Sequence, residues 1–301
     1  MIVVLGPTAT GKTDLAIHLA RRFGGEVLSA DSMQIYRGLD IGTAKATAEE
    51  QRAAPHHLID ICDPAQRFSV AQFVELAGET IRQIAGRNAL PIVAGGTGLY
   101  ISSLLEGIRF LDEPADDAVR AQLAEQAEEL GEEEMHRRLA ALDPEAAAAI
   151  HPHNRKRVLR ALELYEKTGR TISSQRAQSR AEQPPYNPLL LGLNCPDRQE
   201  LYRRIGLRIN RMLELGVLDE ARQVYLHRDS WQTAAQAIGY KEFFPYFEGA
   251  ASLAACVDKL KQATRNYAKR QLTWFRRMEG VHWLDAAAPD ADALVERFLK
   301  E

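Results

Sequence analysis

The chain has 301 residues, of which 46% are apolar and 26% are charged, and its formal net charge is −3. This composition allows a large buried core, and the length favours either one large domain or a core with an insertion. No apolar run approaches the roughly 20 residues that a membrane-spanning helix needs, and the small net charge does not by itself indicate a nucleic-acid partner.

Cysteine usage limits the chemistry further. Cys62, Cys195 and Cys256 are odd in number and far apart, which favours neither a disulfide framework nor a zinc site. The first predicted strand starts at the N-terminus and leaves no room for a signal peptide. We therefore expect a protein of the reduced cytoplasm that has no membrane partner.

The first predicted elements enclose a phosphate-binding loop. Met1–Leu5 is predicted as a buried strand, and the next eight residues, GPTATGKT, fill every fixed position of the motif G-x-x-x-x-G-K-[ST]. Gly6 and Gly11 allow a tight turn that directs N–H groups at phosphate, while Lys12 supplies an ammonium group and Thr13 a hydroxyl for Mg²⁺. A helix predicted after the loop points its N-terminus at the anion. The predicted phosphate-binding residues are Gly6, Pro7, Thr8, Ala9, Thr10, Gly11, Lys12 and Thr13.

Strands and helices alternate up to about Leu105. Glu26–Ala30 and Leu90–Ala94 are predicted strands, and Val70–Ala85 is a predicted amphipathic helix between them. This alternation is typical of an α/β fold. With the phosphate loop, it predicts a P-loop NTPase-like core built on a doubly wound parallel sheet.

The character of the sequence changes after this region. Residues 112–145 are acidic and helix-prone, a basic stretch follows, and the segment ends at the proline-rich break QPPYNP. We interpret residues 112–185 as a helical insertion domain, with the core formed by residues 1–111 and 186–301. Leu189–Leu193 is a predicted strand that rejoins the sheet. The sequence is predicted helical from Arg198 to about Arg277, and a short helix ends the chain.

The residues around the phosphate loop indicate what the loop does not do. The sequence has no N-K-x-D motif for guanine, and the strand LPIVA runs into GGTG without a terminal Asp. A hydrolytic Walker-B carboxylate is therefore missing where it would be sought. Asp31 follows the second predicted strand at the edge where such sheets bind ligands. On the residues alone, it is equally a candidate base and a turn residue.

Two basic stretches suggest a polyanionic partner. From Lys259 to Met278 there are seven Lys or Arg residues and no acid, interleaved with aromatic residues. A second cluster contains Arg155, Lys156, Arg157 and Arg160. Contacts with nucleic-acid phosphates would account for both stretches. The alternative is that these cations pair with the acidic segment of residues 112–145.

Taken together, five motifs resemble the tRNA dimethylallyltransferases of the bacterial type. The resemblance runs in order from residue 2 to about Asp285. The motifs are GPTATGKT, DSMQIYRGLDIGTAK from Asp31, GGTGLY from Gly95, AIGYKE from Ala237, and YAKRQLTWFR from Tyr267.

The resemblance implies a reaction and roles for individual residues. Relatives transfer a dimethylallyl group from dimethylallyl diphosphate to N6 of adenosine 37 beside the tRNA anticodon. The loop would then hold a diphosphate, and Thr13 would help to place Mg²⁺. Asp31 would accept the amine proton, Thr97 would hydrogen-bond near the reacting centre, and Arg208 would contact the diphosphate. Arg203, Arg204 and Arg211 are close enough in sequence to exchange roles with Arg208.

The same resemblance implies an RNA-binding surface that includes the insertion domain. It also implies that the target adenine leaves its base stack and enters a pocket of the enzyme. We expect a monomer. Two other functions stay open: a small-molecule kinase, and an adenylate isopentenyltransferase acting on free nucleotides. A pure RNA-binding protein is a weaker third. The predicted tRNA-contacting residues are Asp31, Ser32, Met33, Gln34, Arg120, Lys156, Arg157, Arg160, Gly239, Lys241, Arg265, Lys269, Arg270 and Arg276.

Overall fold

The computed structural model describes residues 1–108, 117–179 and 183–301. A single sheet organises the larger of its two compact units, which comprises Met1–Leu105 and Pro185–Glu301. Its six strands, all parallel, lie in the order β3-β2-β4-β1-β5-β6. The strands are β1 (Ile2–Leu5), β2 (Gly25–Ser29), β3 (His56–His57), β4 (Leu90–Gly95), β5 (Leu189–Asn194) and β6 (Val281–Asp285).

Helices cover both faces of this sheet, because both faces of the central strands are apolar. Val3 and Leu5 pack with the helix residue Phe73 on one face, whereas Ile2 and Val4 pack with Leu15 on the other. Alternate residues of a strand point to opposite faces, so a continuous apolar run such as IVVL requires cover on both sides. The helices of this unit are α1 (Lys12–Phe23), α2 (Ala48–Ala53), α3 (Val70–Gly86), α4 (Gly98–Leu105), α10 (Arg198–Glu214), α11 (Val217–Leu226), α12 (Phe244–Phe247), α13 (Leu253–Phe275) and α14 (Asp292–Phe298).

The predicted doubly wound parallel sheet is confirmed. Strands β1, β2, β4 and β5 lie within one residue of their predicted bounds at each end, and β5 pairs with β1 as the fifth strand. Two strands were missed: β3 has only two residues, and β6 carries exposed His282 and Trp283 in place of an apolar run. The stretch from Arg198 to Arg277 is not continuously helical, since turns and two short 3₁₀ helices separate α11 from α12.

The second compact unit spans Glu106–Pro184. The predicted start of the insertion, residue 112, lies outside the described residues. The unit has a core of its own, in which Leu123, Met135, Leu139 and Leu162 are buried together. Its helices are α5 (Asp117–Leu130), α6 (Glu132–Leu142), α7 (Pro144–Ala149), α8 (Arg155–Thr168) and α9 (Ile172–Ser179).

One ion-pair cluster ties β2 to the neighbouring elements. Glu26 on β2 is held by Arg87 after α3, through bonds of 2.7 Å from Nε and 2.6 Å from Nη2. His57 on β3 lies 2.6 Å from the same carboxylate. The Arg87 guanidinium, with His57, lowers the pKa of Glu26 from its ordinary value near 4.5 to about 2. The charged carboxylate therefore stabilises the folded state.

We expect Glu26→Gln to lower the free energy of unfolding at neutral pH by about 1–3 kcal/mol, because Arg87 and His57 lose a charged acceptor. A carboxylate with a depressed pKa stabilises the fold above its unfolded pKa, and this contribution is lost as the pH falls through its folded pKa. Urea unfolding should therefore show the two proteins converging between about pH 4.5 and 2. Glu79→Gln, on the exposed side of α3, is the matched control. A difference that does not change with pH would contradict the assignment.

Candidate active site

The phosphate loop lies between β1 and α1 at the carboxyl edge of the sheet. Gly6 has φ +144°, and a Cβ there would lie 2.5 Å from the carbonyl oxygen of Leu193 on β5. Gly11, with φ +82°, precedes the first residue of α1. Within the described part of the chain, no protein group accepts a hydrogen bond from the N–H of Gly11, Lys12 or Thr13. These N–H groups and the start of α1 therefore form a site that an anion can occupy.

Lys12 lies inside this loop. Its Nζ donates to the carbonyl oxygen of Pro7 at 2.8 Å. Burial and the positive charge of Arg208 lower the pKa of Lys12 to about 7, and the negative charge of Asp31 opposes the shift. A bound anion would stabilise the ammonium form, so Lys12 is suited to bind a negatively charged group.

Asp31 and Thr97 follow neighbouring strands at the same edge. Asp31 Oδ1 accepts from the N–H of Met33 at 2.9 Å, so the turn role considered from sequence is present. Thr97 Oγ1 accepts from the N–H of Ser32 at 3.0 Å. Thr97 is thereby held beside the residue that follows Asp31. No described residue donates a hydrogen bond to Asp31 Oδ2, so the carboxylate can also accept a proton.

Arg208 on α10 faces the same site, and its neighbours have other partners. Burial lowers the pKa of its guanidinium, and the charge of Asp31 opposes this effect. Arg203 and Arg204 both bind Glu200, and Arg211 pairs with Glu214. These contacts favour Arg208 among the four arginines as the residue for an anion in the loop.

A cavity of about 1410 Å³ joins these groups. Its wall contains the phosphate loop, the turn after β2 and the start of the loop after β4, together with residues of α10 and α13. The cavity brings together Lys12, Thr13, Asp31 and Arg208. Within the described part of the chain, no cluster of three or more His, Cys, Asp or Glu side chains could hold a metal ion.

One carboxylate on α11 organises a loop on the cavity wall. Glu220 Oε2 accepts from the N–H groups of Asp40 and Ile41, and Oε1 accepts from the N–H of Gly42, each at 2.9 Å. The buried hydroxyl of Tyr240 also donates to Oε1 at 2.6 Å. The loop continues to Thr43 and Ala44, whose carbonyl oxygens accept from Gln34 Nε2. Glu220 thereby positions the part of the wall that contacts Gln34, a residue predicted to bind RNA.

The predicted RNA-binding residues of the larger unit differ in their surroundings. Asp31, Ser32, Met33, Gln34 and Gly239 line the cavity. On α13, Lys269 and Arg270 are exposed, and Arg276 is exposed just after the helix ends. Arg265 stacks on Tyr202 at 4.9 Å, and Lys241 donates to the Gln236 carbonyl.

The predicted RNA-binding residues of the smaller unit differ in their contacts. Arg120 and Arg160 both bind Glu163, which is 2% exposed and also accepts from Lys167. Lys156 and Arg157 are exposed on α8, and no ion pair in the described residues involves either. Arg155 pairs with Glu128 at 2.6 Å. Arg155 therefore pairs with the acidic segment of residues 112–145, which was the alternative to an RNA contact.

Among the described site residues, the set predicted from sequence does not include Glu220, Tyr267 or Gln271. Tyr267 and Gln271 belong to the motif YAKRQLTWFR, in which only the cations were selected. Glu220 has no motif around it, because its partners are backbone N–H groups some 180 residues earlier in the chain. The motif could have identified Tyr267 and Gln271 from the sequence, but nothing in the sequence marks Glu220.

Comparisons with known proteins identify the family. A family model described as IPP transferase matches residues 34–278, and one described as isopentenyl transferase matches residues 1–60. The chain belongs to the IPP transferase family. The tRNA dimethylallyltransferase of Geobacillus thermodenitrificans is 48% identical over 98% of this chain and 93% of its own length. The tRNA dimethylallyltransferase of Bacillus subtilis is 47% identical over 96% of this chain and 91% of its own length.

Solved structures agree with this membership. A tRNA isopentenylpyrophosphate transferase from Bacillus halodurans aligns with a TM-score of 0.71 at 44% identity, covering 99% of this chain and 95% of that one. A eukaryotic dimethylallyltransferase acting on tRNA aligns with a TM-score of 0.83 at 29% identity, covering 100% and 79%. As a member of the IPP transferase family, the chain is a prenyl-transferring enzyme. No described helix is long and apolar enough to cross a membrane.

We expect Glu220→Gln to reduce both stability and turnover. The carboxylate accepts hydrogen bonds at both oxygens, whereas the Gln amide has only one acceptor oxygen. The free energy of unfolding should fall by about 2 kcal/mol, and kcat should fall because the cavity wall loosens. Asp219→Asn, the same change at the exposed neighbouring residue, is the control. Urea unfolding and steady-state kinetics measure the two effects. If both variants behave alike, Glu220 does not position the loop.

Proposed function

We propose that this enzyme transfers a dimethylallyl group from dimethylallyl diphosphate to N6 of adenosine 37 in tRNA, giving N6-isopentenyladenosine and diphosphate. The observation that carries the proposal is the shared cavity of an anion-binding loop, a carboxylate and two cations. A carboxylate that follows β2 at the same edge of the sheet suits a proton transfer from an amine beside a departing diphosphate. Membership of the IPP transferase family supports the same reaction.

Each of these groups has a separate role in the proposed chemical step. The adenine N6 forms a bond to C1 of the dimethylallyl group, the C–O bond to diphosphate breaks, and the oxygen keeps the electron pair. Asp31 accepts the proton that N6 loses. Lys12, Arg208 and the free N–H groups of the loop offset the charge that develops on the leaving oxygens. Thr97 accepts from Ser32 N–H and fixes the turn that carries Asp31.

The residues present also fit a Mg²⁺ ion. Thr13 follows Lys12 in the first turn of α1 and lines the cavity, where its hydroxyl would hold the ion next to the diphosphate. Diphosphate oxygens and water would complete its coordination, since Mg²⁺ usually keeps several waters and binds substrate phosphates. The ion would supply positive charge to the leaving group.

The tRNA partner is supported by the charge distribution. Exposed Lys269, Arg270 and Arg276 in and after α13, and exposed Lys156 and Arg157 on α8, are suited to phosphate contacts. A kinase would not need these cations, and neither would an enzyme that prenylates free adenine nucleotides. We propose that the enzyme acts as a monomer.

Mass spectrometry of tRNA adenosines tests the function. The protein is incubated with tRNA, dimethylallyl diphosphate and Mg²⁺, and the digested nucleosides are analysed. We expect one dimethylallyl group on an adenosine beside the anticodon. ADP release in step with product would instead indicate a kinase, and equal activity on free AMP would indicate the nucleotide-prenylating enzyme.

We expect Asp31→Asn to lower kcat by about 10²–10⁴ while tRNA affinity stays nearly unchanged, because the amide keeps the shape of the side chain but cannot accept the proton. Single-turnover kinetics and a filter-binding assay separate the two effects. Asp63→Asn, at an exposed aspartate outside the cavity, is the control. A variant that binds tRNA poorly but turns over normally at saturation would reduce Asp31 to a binding residue.

We expect tRNA affinity to fall steeply with salt. Lys269→Ala or Arg157→Ala should each reduce the slope of log K against log[salt] by about 0.7–0.9, which corresponds to one phosphate contact. Lys300→Ala, an exposed cation outside both basic stretches, should leave the slope unchanged. Affinity is measured at several salt concentrations. A slope that neither substitution alters would remove these cations from the RNA contact.

A further inference from the structure

Gln271 on α13 reaches into the phosphate loop and uses both ends of its amide there. Its Oε1 accepts from the N–H of Thr8 at 2.9 Å, and its Nε2 donates to the carbonyl oxygen of Gly96 at 2.9 Å. The residue is only 5% exposed. The reverse orientation of the amide would place donor against donor at Thr8 and acceptor against acceptor at Gly96, so the amide orientation is fixed.

The surroundings hold this amide against the loop. A Cβ at Gly96 would overlap Gln271 Nε2, so glycine at this position lets the amide pass close to the chain. Tyr267, one helical turn earlier on α13, lines the same cavity as Gln271. The side chain is therefore positioned by contacts on both sides of the cavity wall.

This contact divides the donors of the phosphate loop into two sets. The N–H groups of Gly11, Lys12 and Thr13 have no acceptor among the described residues, whereas the N–H of Thr8 is already paired with Gln271. In loops that bind a nucleoside triphosphate, the donors along the loop and its lysine serve two or three phosphates. In this protein, the N–H of Thr8 is not free to bind an anion. An anion that approaches Thr8 would instead meet the amide oxygen of Gln271.

An amide oxygen repels a phosphate oxygen, because both are acceptors. A phosphate chain bound at Lys12 and extended toward Thr8 would approach Gln271 Oε1 and lose hydration there without gaining a donor. A chain of two phosphates can remain at the α1 end of the loop. Discrimination by an unfavourable polar contact of this kind is a common source of specificity.

We propose that Gln271 determines phosphate-chain length at this loop, admitting a diphosphate and excluding a triphosphate. The inference rests on the proposed function, in which the loop holds a diphosphate. It also explains how a loop with every fixed residue of the nucleotide-binding motif can serve a substrate that carries no nucleoside triphosphate.

The experiment compares two simple anions on the full chain. Binding of inorganic pyrophosphate and inorganic tripolyphosphate is measured by calorimetry with Mg²⁺ present and RNA absent. The variants are Gln271→Ala, which removes the amide and its volume, and Gln271→Met, which removes the amide but keeps a side chain of similar length. Gln262→Ala, at an exposed glutamine on the same helix, is the control.

We expect the wild-type protein and the Gln262→Ala variant to favour pyrophosphate. In Gln271→Ala or Gln271→Met, tripolyphosphate affinity should rise at least about tenfold relative to pyrophosphate affinity. An unchanged ratio in both variants would overturn the proposal. Loss of pyrophosphate binding in both would also overturn it, because Gln271 would then be required for the diphosphate itself. If the wild-type protein bound neither anion, the result would contradict the proposed function itself, in which the loop holds a diphosphate. That outcome differs from an unchanged ratio in the variants, which contradicts only the role of Gln271.

Discussion

The site depends on a set of backbone N–H groups at the start of α1 that no described protein group satisfies. Unpaired donors at a helix N-terminus favour an anion, and the surrounding structure is arranged around that requirement. Gly6 allows the loop to approach β5 closely, and Lys12 and Arg208 place positive charge beside it. Because the parallel strands end at the same edge, Asp31 after β2 and Thr97 after β4 lie at the edge that carries the loop.

The sequence was sufficient to predict the features that depend on neighbouring residues. The motif GPTATGKT identifies the loop, apolar runs identify four of the six strands, and Asp31 is located by the strand before it. Asp31 also shows why its role could not be decided from the residues alone. Its carboxylate closes a turn with Met33 while it also lines the cavity, so the turn contact does not decide between the two interpretations.

The features that could not be predicted depend on distant parts of the chain. Glu220 binds N–H groups at residues 40–42, and Gln271 binds Thr8; neither contact leaves a periodic or local pattern. The same applies to Arg120, whose charge predicted an RNA contact but which binds the buried carboxylate of Glu163, 43 residues later in the chain. Strand β6 was missed because an edge strand with exposed side chains lacks the apolar run on which the other predictions relied.

The close approach of Gly6 to Leu193 has a consequence for synthesis on the ribosome. The phosphate loop emerges before β5, which carries the carbonyl against which the loop packs, and before α13, which carries the amide that binds Thr8. Domains generally fold as units during translation, and contacts this far apart in sequence form slowly. The nascent chain therefore cannot complete its phosphate site until residues beyond Gln271 have left the ribosome. A truncated product that ends before α13 would carry the whole loop motif without the contact that fixes Thr8.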